Sequence, residues 1–183
     1  LARDTIALPF NDIDKVEEVI RREKDNLACV IVEPIPANMG VILPKDGFLK
    51  RLRQVTEDND VVLIFDEVIT GFRVALGGAQ EIFRIKPDMT ILGKILGGGF
   101  PIGAFGGKAE IMDCLSPDGP VYQAGTLSGN PVAVEAGINT IKTLMSGKIY
   151  DKLRSLGGRL ESGIDAIIKR TAHQITLQRA GSL

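Results

Sequence analysis

A carboxylate and an amine each follow an apolar segment of this chain. The apolar run 61–65 is followed by Asp66, and the apolar run 89–92 is followed by Gly93 and Lys94. The interval between Asp66 and Lys94 fits a strand, a crossover containing a helix, and a second parallel strand. Ligands of open parallel sheets bind beyond the carboxyl ends of the strands, where both side chains are expected. The pair predicts a site built around a cationic ring and a reactive carbonyl.

The neighbours of Lys94 favour a reactive amine over a lysine that only ends a strand in solvent. Its flanking residues 91–92 and 95–96 are apolar, and residues 97–99 are three glycines. Desolvation lowers the pKa of a lysine amine, and a neutral amine can form a Schiff base. Glycines have no Cβ, so their backbone can approach a bulky ligand closely.

Asp66 is interpreted as a carboxylate that keeps a pyridine nitrogen protonated, which makes the ring a better electron sink. The alternative is a helix cap or a polar residue at the sheet edge. Glu67 points to the opposite side if the strand pattern continues, so it is assigned a structural role. Val68 returns to the Asp66 side, where it could pack flat against a ring.

Thr126 lies shortly before Pro131, which is typical of the first residue of a helix. A hydroxyl beside free N–H groups at a helix N-terminus can bind a phosphate, although residues such as Ser128 and Asn130 commonly act only as caps. The single histidine, His173, is interpreted as structural, which argues against Ser-His and multi-histidine schemes. No dinucleotide fingerprint or P-loop motif is present.

The remaining pattern predicts alternating strands and helices. The first helix begins at residues 10–12, with Asn11 or Asp12 as its cap. Further helices are predicted over 47–58, 77–83, 109–115, 131–145 and 148–170, and strands over 27–32, 61–65, 89–92, 102–105 and 174–178. The strand at 27–32 is expected to be buried, the helix at 77–83 to be ended by Lys86 and Pro87, and the strand at 174–178 to be antiparallel. The change of pattern predicts a domain boundary near residue 146.

Composition narrows the class of protein. Hydrophobic residues make up 44% and charged residues 25%, as in an ordinary globular protein. The net charge of −1 gives no reason to expect nucleic acid or an anionic membrane as a partner. Cys29 and Cys114 have no CxxC spacing, so neither a disulfide, a zinc site nor another metal site is predicted, and a reducing compartment is expected. The chain starts at Leu1 without methionine, so a fragment of a longer protein is expected.

Three motifs in order resemble the class III family of pyridoxal-phosphate-dependent aminotransferases. They are FDEVITGFR at 65–73, LGKILGGGFPIGAFGG at 92–107 and QAGTLSGNP at 123–131, and the likeness extends to QRAGS at 178–182. The resemblance implies an α/β fold of the aspartate aminotransferase-like type, fold type I, with a mostly parallel sheet. Residues 1–145 would be the C-terminal part of the cofactor-binding large domain, and 146–183 the beginning of a small α+β C-terminal domain.

The resemblance also implies roles for single residues. Lys94 aligns with the lysine that forms a Schiff base with pyridoxal 5'-phosphate (PLP) and shuttles protons. Asp66 aligns with the partner of the pyridine nitrogen, Val68 with the residue against the ring, and Asn38 with the contact to the phenolic oxygen of the ring.

Gly125 and Thr126 align with the pair that binds the cofactor phosphate from the neighbouring subunit. The resemblance therefore implies a homodimer whose phosphate site is shared across the interface.

Further motifs resemble the aminomutase branch of this family, whose members work with PLP and its amine form, pyridoxamine 5'-phosphate (PMP). These motifs are EPIPANMG at 33–40, FRVALGGAQ at 72–80 and VYQAGTLSGNP at 121–131. The implied reaction moves an amino group within glutamate-1-semialdehyde to give 5-aminolevulinate, a tetrapyrrole precursor, in the cytoplasm or a plastid stroma.

Two alternatives stay open. The first is a transaminase, which would exchange an amino group between two different substrates. Ordinary family members carry a glycine–acid pair in place of Ala37 and Asn38, and a histidine motif in place of GTLSGNP. These two differences weigh against a transaminase. A non-catalytic protein could keep the fold for dimerisation or binding, but it would have no physical need for both Lys94 and Asp66.

Overall fold

The fold is described from a computed structural model, which covers residues 2–171 and 173–183. Within these two ranges, four strands form one sheet in the order β1-β2-β3-β4: β1 Cys29–Val32, β2 Val62–Asp66, β3 Met89–Leu92 and β4 Ala104–Gly107. The first three strands are parallel, and β4 is antiparallel to β3. Phe65 of β2 lies opposite Thr90 of β3. Because the two strands are parallel, their carboxyl ends lie at the same edge of the sheet. The predicted crossover between two parallel strands is confirmed.

In the described residues, six α-helices connect and flank the strands: α1 Ile13–Glu23, α2 Phe48–Asp58, α3 Gly78–Phe83, α4 Ala109–Met112, α5 Pro131–Leu144 and α6 Lys148–Thr171. Short 3₁₀ turns lie at Ala2–Asp4 and Lys94–Gly97. The predicted caps are confirmed: Asp12 accepts a hydrogen bond from the Lys15 N–H (3.0 Å), and Asn130 accepts from the N–H groups of Val132 and Ala133. Within the two described ranges, no helix has both the length and the apolar character needed to cross a membrane.

The main core lies between β2 and the helices α1 and α2. The apolar residues of α2 recur at helical spacing and pack against Leu63 and Phe65, both of which are fully buried. Burial of each large apolar side chain contributes about 1.5–3 kcal/mol. The core comprises Val16, Ile20, Phe48, Leu49, Leu52, Val55, Val61, Leu63 and Phe65. It holds β2 from behind and so anchors the strand that ends in Asp66.

The prediction of a fully buried strand at 27–32 is wrong for one of its two faces. β1 begins at Cys29, and its residues alternate between exposed and half-buried, with Ile31 56% exposed. Successive strand residues point to opposite faces, and only the face of Val30 and Val32 packs on the core.

Two further expectations are corrected. Residues 174–178 are exposed and form no strand, because no described segment supplies the neighbouring ladder of hydrogen bonds that a strand needs. Helix α3 ends before Lys86 and Pro87, since Arg84 takes a left-handed conformation (φ 53°) and its N–H bonds the Gln80 carbonyl.

Cys29 and Cys114 are free and exposed.

Candidate functional site

Asp66 ends β2 and forms a tight turn with the residues that follow. Its Oδ1 accepts a hydrogen bond from the Val68 N–H at 3.0 Å. No other hydrogen bond or ion pair to this carboxylate occurs in the part of the chain that the structure describes. One oxygen is therefore fixed by the turn, and the other can accept a hydrogen bond from a ligand.

Lys94 lies directly after β3 and begins the 3₁₀ turn Lys94–Gly97, here called the Lys94 turn. Its φ of 47° is in the left-handed region, which costs a residue other than glycine about 1–2 kcal/mol. The side chain is exposed, so the expected desolvation of the amine is not provided by the described residues. Lys94 lines a shallow open depression together with Ile95, Gly99, Phe100 and Pro101.

Val68 brings the Asp66 turn and the Lys94 segment together. A Cβ atom added at Gly93 would lie 3.4 Å from Val68 Cγ1, so the two residues are in contact distance. The Glu67 N–H also donates to the Ile91 carbonyl at 2.9 Å, which continues the pairing of β2 and β3. The structure thus places Asp66, Val68 and Lys94 at one edge of the sheet.

Gly98 and Gly137 lie where the Lys94 turn meets α5. A Cβ atom at Gly98 (φ 59°) would lie 2.7 Å from the Ala136 carbonyl oxygen, and one at Gly137 would lie 2.3 Å from the Leu96 carbonyl oxygen. These glycines let the Lys94 turn pack directly on the backbone of α5. Among the three glycines at 97–99, only Gly99 (φ 103°) has open space at its Cβ position.

Glu67 points away from Asp66 into the protein, as the strand pattern predicts. It is 1% exposed and accepts hydrogen bonds from Thr70, Ala79 and Gln80.

Asn38 lies in the turn that follows β1 and is exposed. The turn is closed by hydrogen bonds from the N–H groups of Gly40 and Val41 to the Ala37 carbonyl. Because β1 is parallel to β2, this turn lies at the same sheet edge as Asp66. No hydrogen bond joins Asn38 to Asp66 or Lys94 within the described ranges.

Gly125 and Thr126 lie in an exposed segment that precedes α5. The Ser128 N–H donates to the Gly125 carbonyl at 2.9 Å, which closes a turn. The free helix amides that were predicted near Thr126 are not available, because Asn130 accepts hydrogen bonds from Val132 and Ala133. No described contact joins this segment to Asp66 or Lys94.

A second polar cluster, which the sequence analysis missed, lies at the opposite edge of the sheet. Asp88 is buried just before β3 and accepts hydrogen bonds from Arg53 (2.8 Å), Lys108 (2.9 Å) and the Leu63 N–H (2.7 Å). Burial raises the pKa of the Asp88 carboxyl, but the Leu63 N–H and the Lys108 and Arg53 cations together hold it below its ordinary value. The sequence signal that could have revealed this cluster is the charged residue Asp88 directly before the apolar strand β3.

Residues 2–171 and 173–183 contain no group of three or more His, Cys, Asp or Glu side chains arranged to hold a metal ion.

Comparison with solved structures defines the class of the fold. An omega-transaminase from Sphaerobacter thermophilus superposes with a TM-score of 0.90 and 38% identity, covering 96% of this chain and 40% of that chain. A glutamate-1-semialdehyde-aminomutase variant from Pseudomonas aeruginosa in complex with PMP superposes with a TM-score of 0.85 and 27% identity, covering 96% and 40%. The chain has the α/β fold type I of PLP-dependent transferases, as the sequence predicted.

The sequence places the chain within one family of this class. The family model Aminotransferase class-III matches residues 2–183, and the chain belongs to this family. A glutamate-1-semialdehyde 2,1-aminomutase from Akkermansia muciniphila is 51% identical over 179 residues, which cover 98% of this chain and 42% of that protein. The chain thus spans about two fifths of the length of the curated relatives it matches.

Proposed function

We propose that the protein is a glutamate-1-semialdehyde 2,1-aminomutase that uses PLP and PMP. In this function it moves an amino group within one substrate and forms 5-aminolevulinate. The observation that carries the proposal is the placement of Asp66, Val68 and Lys94 at the carboxyl edge of the sheet. The 51% identity to the Akkermansia aminomutase supports the choice of substrate.

The described residues fit the cofactor on chemical grounds. Asp66 has one carboxylate oxygen fixed by Val68 and one that can accept the N–H of a protonated pyridine ring. Val68 offers an apolar side chain beside the ring position. Lys94 presents an exposed amine at the depression next to it.

Each side chain then has a separate task. When bound, PLP or PMP supplies an electron sink for negative charge on a substrate carbon. Lys94 takes up and returns the protons that move during amino transfer. Asp66 keeps the ring nitrogen protonated, Val68 orients the ring, and Asn38 contacts its phenolic oxygen.

The proposal includes a homodimer. Gly125 and Thr126 lie in an exposed segment whose residues 121–129 are all accessible to solvent. This exposure suits a segment that binds the cofactor phosphate of a second subunit. The absence of a CxxC pair and the free cysteines suit a reducing compartment, which we propose to be the cytoplasm or a plastid stroma.

We also propose that residues 1–145 form part of the large domain and that 146–183 begin the small domain. Three apolar residues of α6, namely Leu156, Leu160 and Ile167, are exposed and are available to pack in a further layer. Tyr150 anchors the start of α6 because its hydroxyl donates to the Phe72 carbonyl at 2.8 Å.

A transaminase with two different substrates is the second candidate. The omega-transaminase structure is 38% identical to this chain, whereas the Pseudomonas aminomutase structure is 27% identical. The two functions differ in whether a second amino acceptor is needed. Incubation with glutamate-1-semialdehyde as the sole substrate yields 5-aminolevulinate only for the aminomutase.

Labelling the reactive lysine tests the centre of the proposal. The full-length protein is incubated with PLP, reduced with borohydride and digested for peptide mass mapping. We expect a pyridoxyl group on Lys94, because borohydride fixes the bond between PLP and the amine that it engages. Label on another lysine, or no label, contradicts the proposed site. Formation of 5-aminolevulinate is then measured on the same preparation.

A further inference from the structure

The carboxylate of Glu67 is buried next to Asp66 and all its acceptor positions are in use. Its Oε2 accepts hydrogen bonds from Thr70 Oγ1 (2.8 Å) and the Ala79 N–H (2.6 Å). Its Oε1 accepts from the Gln80 N–H and from Gln80 Nε2, both at 3.0 Å. A carboxylate has about four lone-pair positions, and here neutral donors occupy them. No cation pairs with Glu67 among the residues that the structure describes.

These bonds connect three elements of the fold. The Ala79 and Gln80 amides belong to the first turn of α3, and Gln80 Nε2 also donates to Thr90 Oγ1 of β3 at 3.0 Å. The Glu67 N–H donates to the Ile91 carbonyl of β3. Glu67 therefore connects the end of β2 to α3 and to β3, through its main chain and its side chain.

The surrounding backbone leaves little space for the carboxylate to shift. A Cβ atom at Gly78 (φ 69°) would lie 2.2 Å from Glu67 Oε2, and one at Gly71 would lie 2.7 Å from the Glu67 carbonyl oxygen. The two glycines thus permit a close approach from both sides. A side chain in such a packed and fully bonded position is held in one arrangement.

We propose that Glu67 is a positioning residue that fixes the Asp66–Val68 turn against the strand leading to Lys94. Glu67 lies between Asp66 and Val68, so a shift of its backbone moves both residues relative to Lys94. Misplacement of reacting groups by about 1 Å can cost about 10²-fold in rate. The inference rests on the proposed function, in which Asp66, Val68 and Lys94 engage the cofactor.

The test compares two buried carboxylates at opposite ends of the sheet: Glu67 follows β2, and Asp88 precedes β3. In Glu67→Gln an amide NH₂ replaces one oxygen, so at least one N–H donor of α3 loses its acceptor. Asp88→Asn is the matched control, because Asp88 is also buried and hydrogen-bonded but lies at the far edge of the sheet. Each full-length protein is measured for thermal unfolding without cofactor, for the PLP dissociation constant, and for the pH profile of the visible absorbance of bound PLP.

We expect both variants to unfold at lower temperature than the wild type. Of these two variants, only Glu67→Gln should weaken PLP binding, by about tenfold, and shift the pH profile of the visible absorbance of bound PLP. Gln80→Leu provides a second variant that keeps Glu67 but removes the hydrogen bonds from Gln80 Nε2 to Glu67 and to Thr90. Gln80→Leu should also weaken PLP binding and shift the pH profile, in the same direction as Glu67→Gln but by a smaller amount. If Glu67→Gln does not fold, Gln80→Leu tests the inference in its place.

The outcomes separate the inference from the proposed function. If the wild type binds PLP and the Glu67 and Gln80 variants match it in affinity and pH profile, Glu67 is only structural and the inference is wrong. The same holds if Asp88→Asn weakens PLP binding equally, since general loss of stability then explains the effect. If the wild type takes up no PLP, the proposed function fails and the inference fails with it.

Discussion

The two ends of the parallel strands β2 and β3 carry the same kinds of charged side chain, but these side chains are paired at one end and available at the other. At the amino end, Asp88 is bonded by Arg53, by Lys108 and by the Leu63 N–H, and it is 5% exposed. Every one of these contacts is intramolecular. A buried carboxylate with two cationic partners and a backbone donor contributes to stability rather than to reactivity.

At the carboxyl end, the side chains are left available. Lys94 is exposed and forms no ion pair within the described ranges, and Asp66 is bonded only to the N–H of Val68. The backbone of Lys94 is strained, with its φ of 47°. Strain and unpaired polar groups together are typical of functional sites, since the surrounding structure must hold them in place.

The difference shows that the two ends of the sheet separate stability from chemistry. The charges of the far cluster pair with one another, whereas Asp66 and Lys94 form no ion pair within the described ranges and are left for a ligand. Glu67 and the close packing of Gly98 and Gly137 hold that open end in shape. Substitutions at the two ends should therefore affect different measurements.

The largest expected effect is on turnover. We expect Lys94→Ala to lower the formation of 5-aminolevulinate by at least about 10³-fold, because it removes the group that moves protons. Far-ultraviolet circular dichroism should be unchanged, since the side chain is exposed. Lys86→Ala is the control, because Lys86 is also exposed but lies before β3, and it should keep wild-type turnover. Turnover retained by Lys94→Ala would contradict the proposed role.

The second effect concerns the protonation state of the ring. We expect Asp66→Asn to keep bound cofactor but to slow turnover by about 10²-fold, since a neutral amide stabilises a protonated ring nitrogen less well. Asp88→Asn, also a loss of one carboxylate charge, should leave the rate per folded molecule unchanged. Stopped-flow spectroscopy with glutamate-1-semialdehyde gives both rates. Equal rates in Asp66→Asn and the wild type would show that Asp66, like Asp88, does not serve the reaction, and would contradict the proposed difference between the two ends of the sheet.

The third effect is on stability at the amino end. We expect Asp88→Asn to lower the free energy of unfolding by about 2 kcal/mol at neutral pH, because buried donors and cations lose their partner. The pKa of Asp88 is held below its ordinary value of 3.8 in the folded protein. Its contribution is therefore complete above about pH 4 and is lost as the pH falls through the lowered value.

Urea unfolding of both proteins from about pH 7 to about pH 3 measures this contribution. The difference between wild type and Asp88→Asn should shrink at the acid end of that range. A difference that stays constant with pH would show that the charge of Asp88 does not stabilise the fold.

The sequence was sufficient where structure depends on local pattern. The apolar run at 89–92 matches β3 in full, and Pro131 with Asn130 marks the start of α5 as predicted. The ends of strands follow from such runs, so the sequence correctly predicts that Asp66 and Lys94 lie at the same edge of the sheet. The strand predicted at 102–105 is instead Ala104–Gly107, since its bounds are set by pairing with β3.

The sequence was insufficient where a residue depends on a distant partner. The tripeptide 97–99 was interpreted as a ligand contact, but Gly98 meets Ala136 of α5, which no local pattern indicates. Asp88 meets Arg53 of α2, 35 positions earlier in the chain. The alternation at 174–178 predicted a strand, but a strand also requires a neighbour to pair with.

The smallest expected effect is that of Lys108→Ala, and it contrasts Lys108 with Lys94 at the opposite end of the sheet. Lys108 bonds Asp88 at 2.9 Å, and this contact raises the pKa of the Lys108 amine above its ordinary value. Its side chain is half exposed, so water can replace much of the interaction, and Arg53 still pairs with Asp88. We therefore expect Lys108→Ala to lower the unfolding temperature less than Asp88→Asn and to keep wild-type turnover. Loss of turnover in Lys108→Ala would show that the amino end of β3 also serves the reaction, and that the two ends are not separate in function.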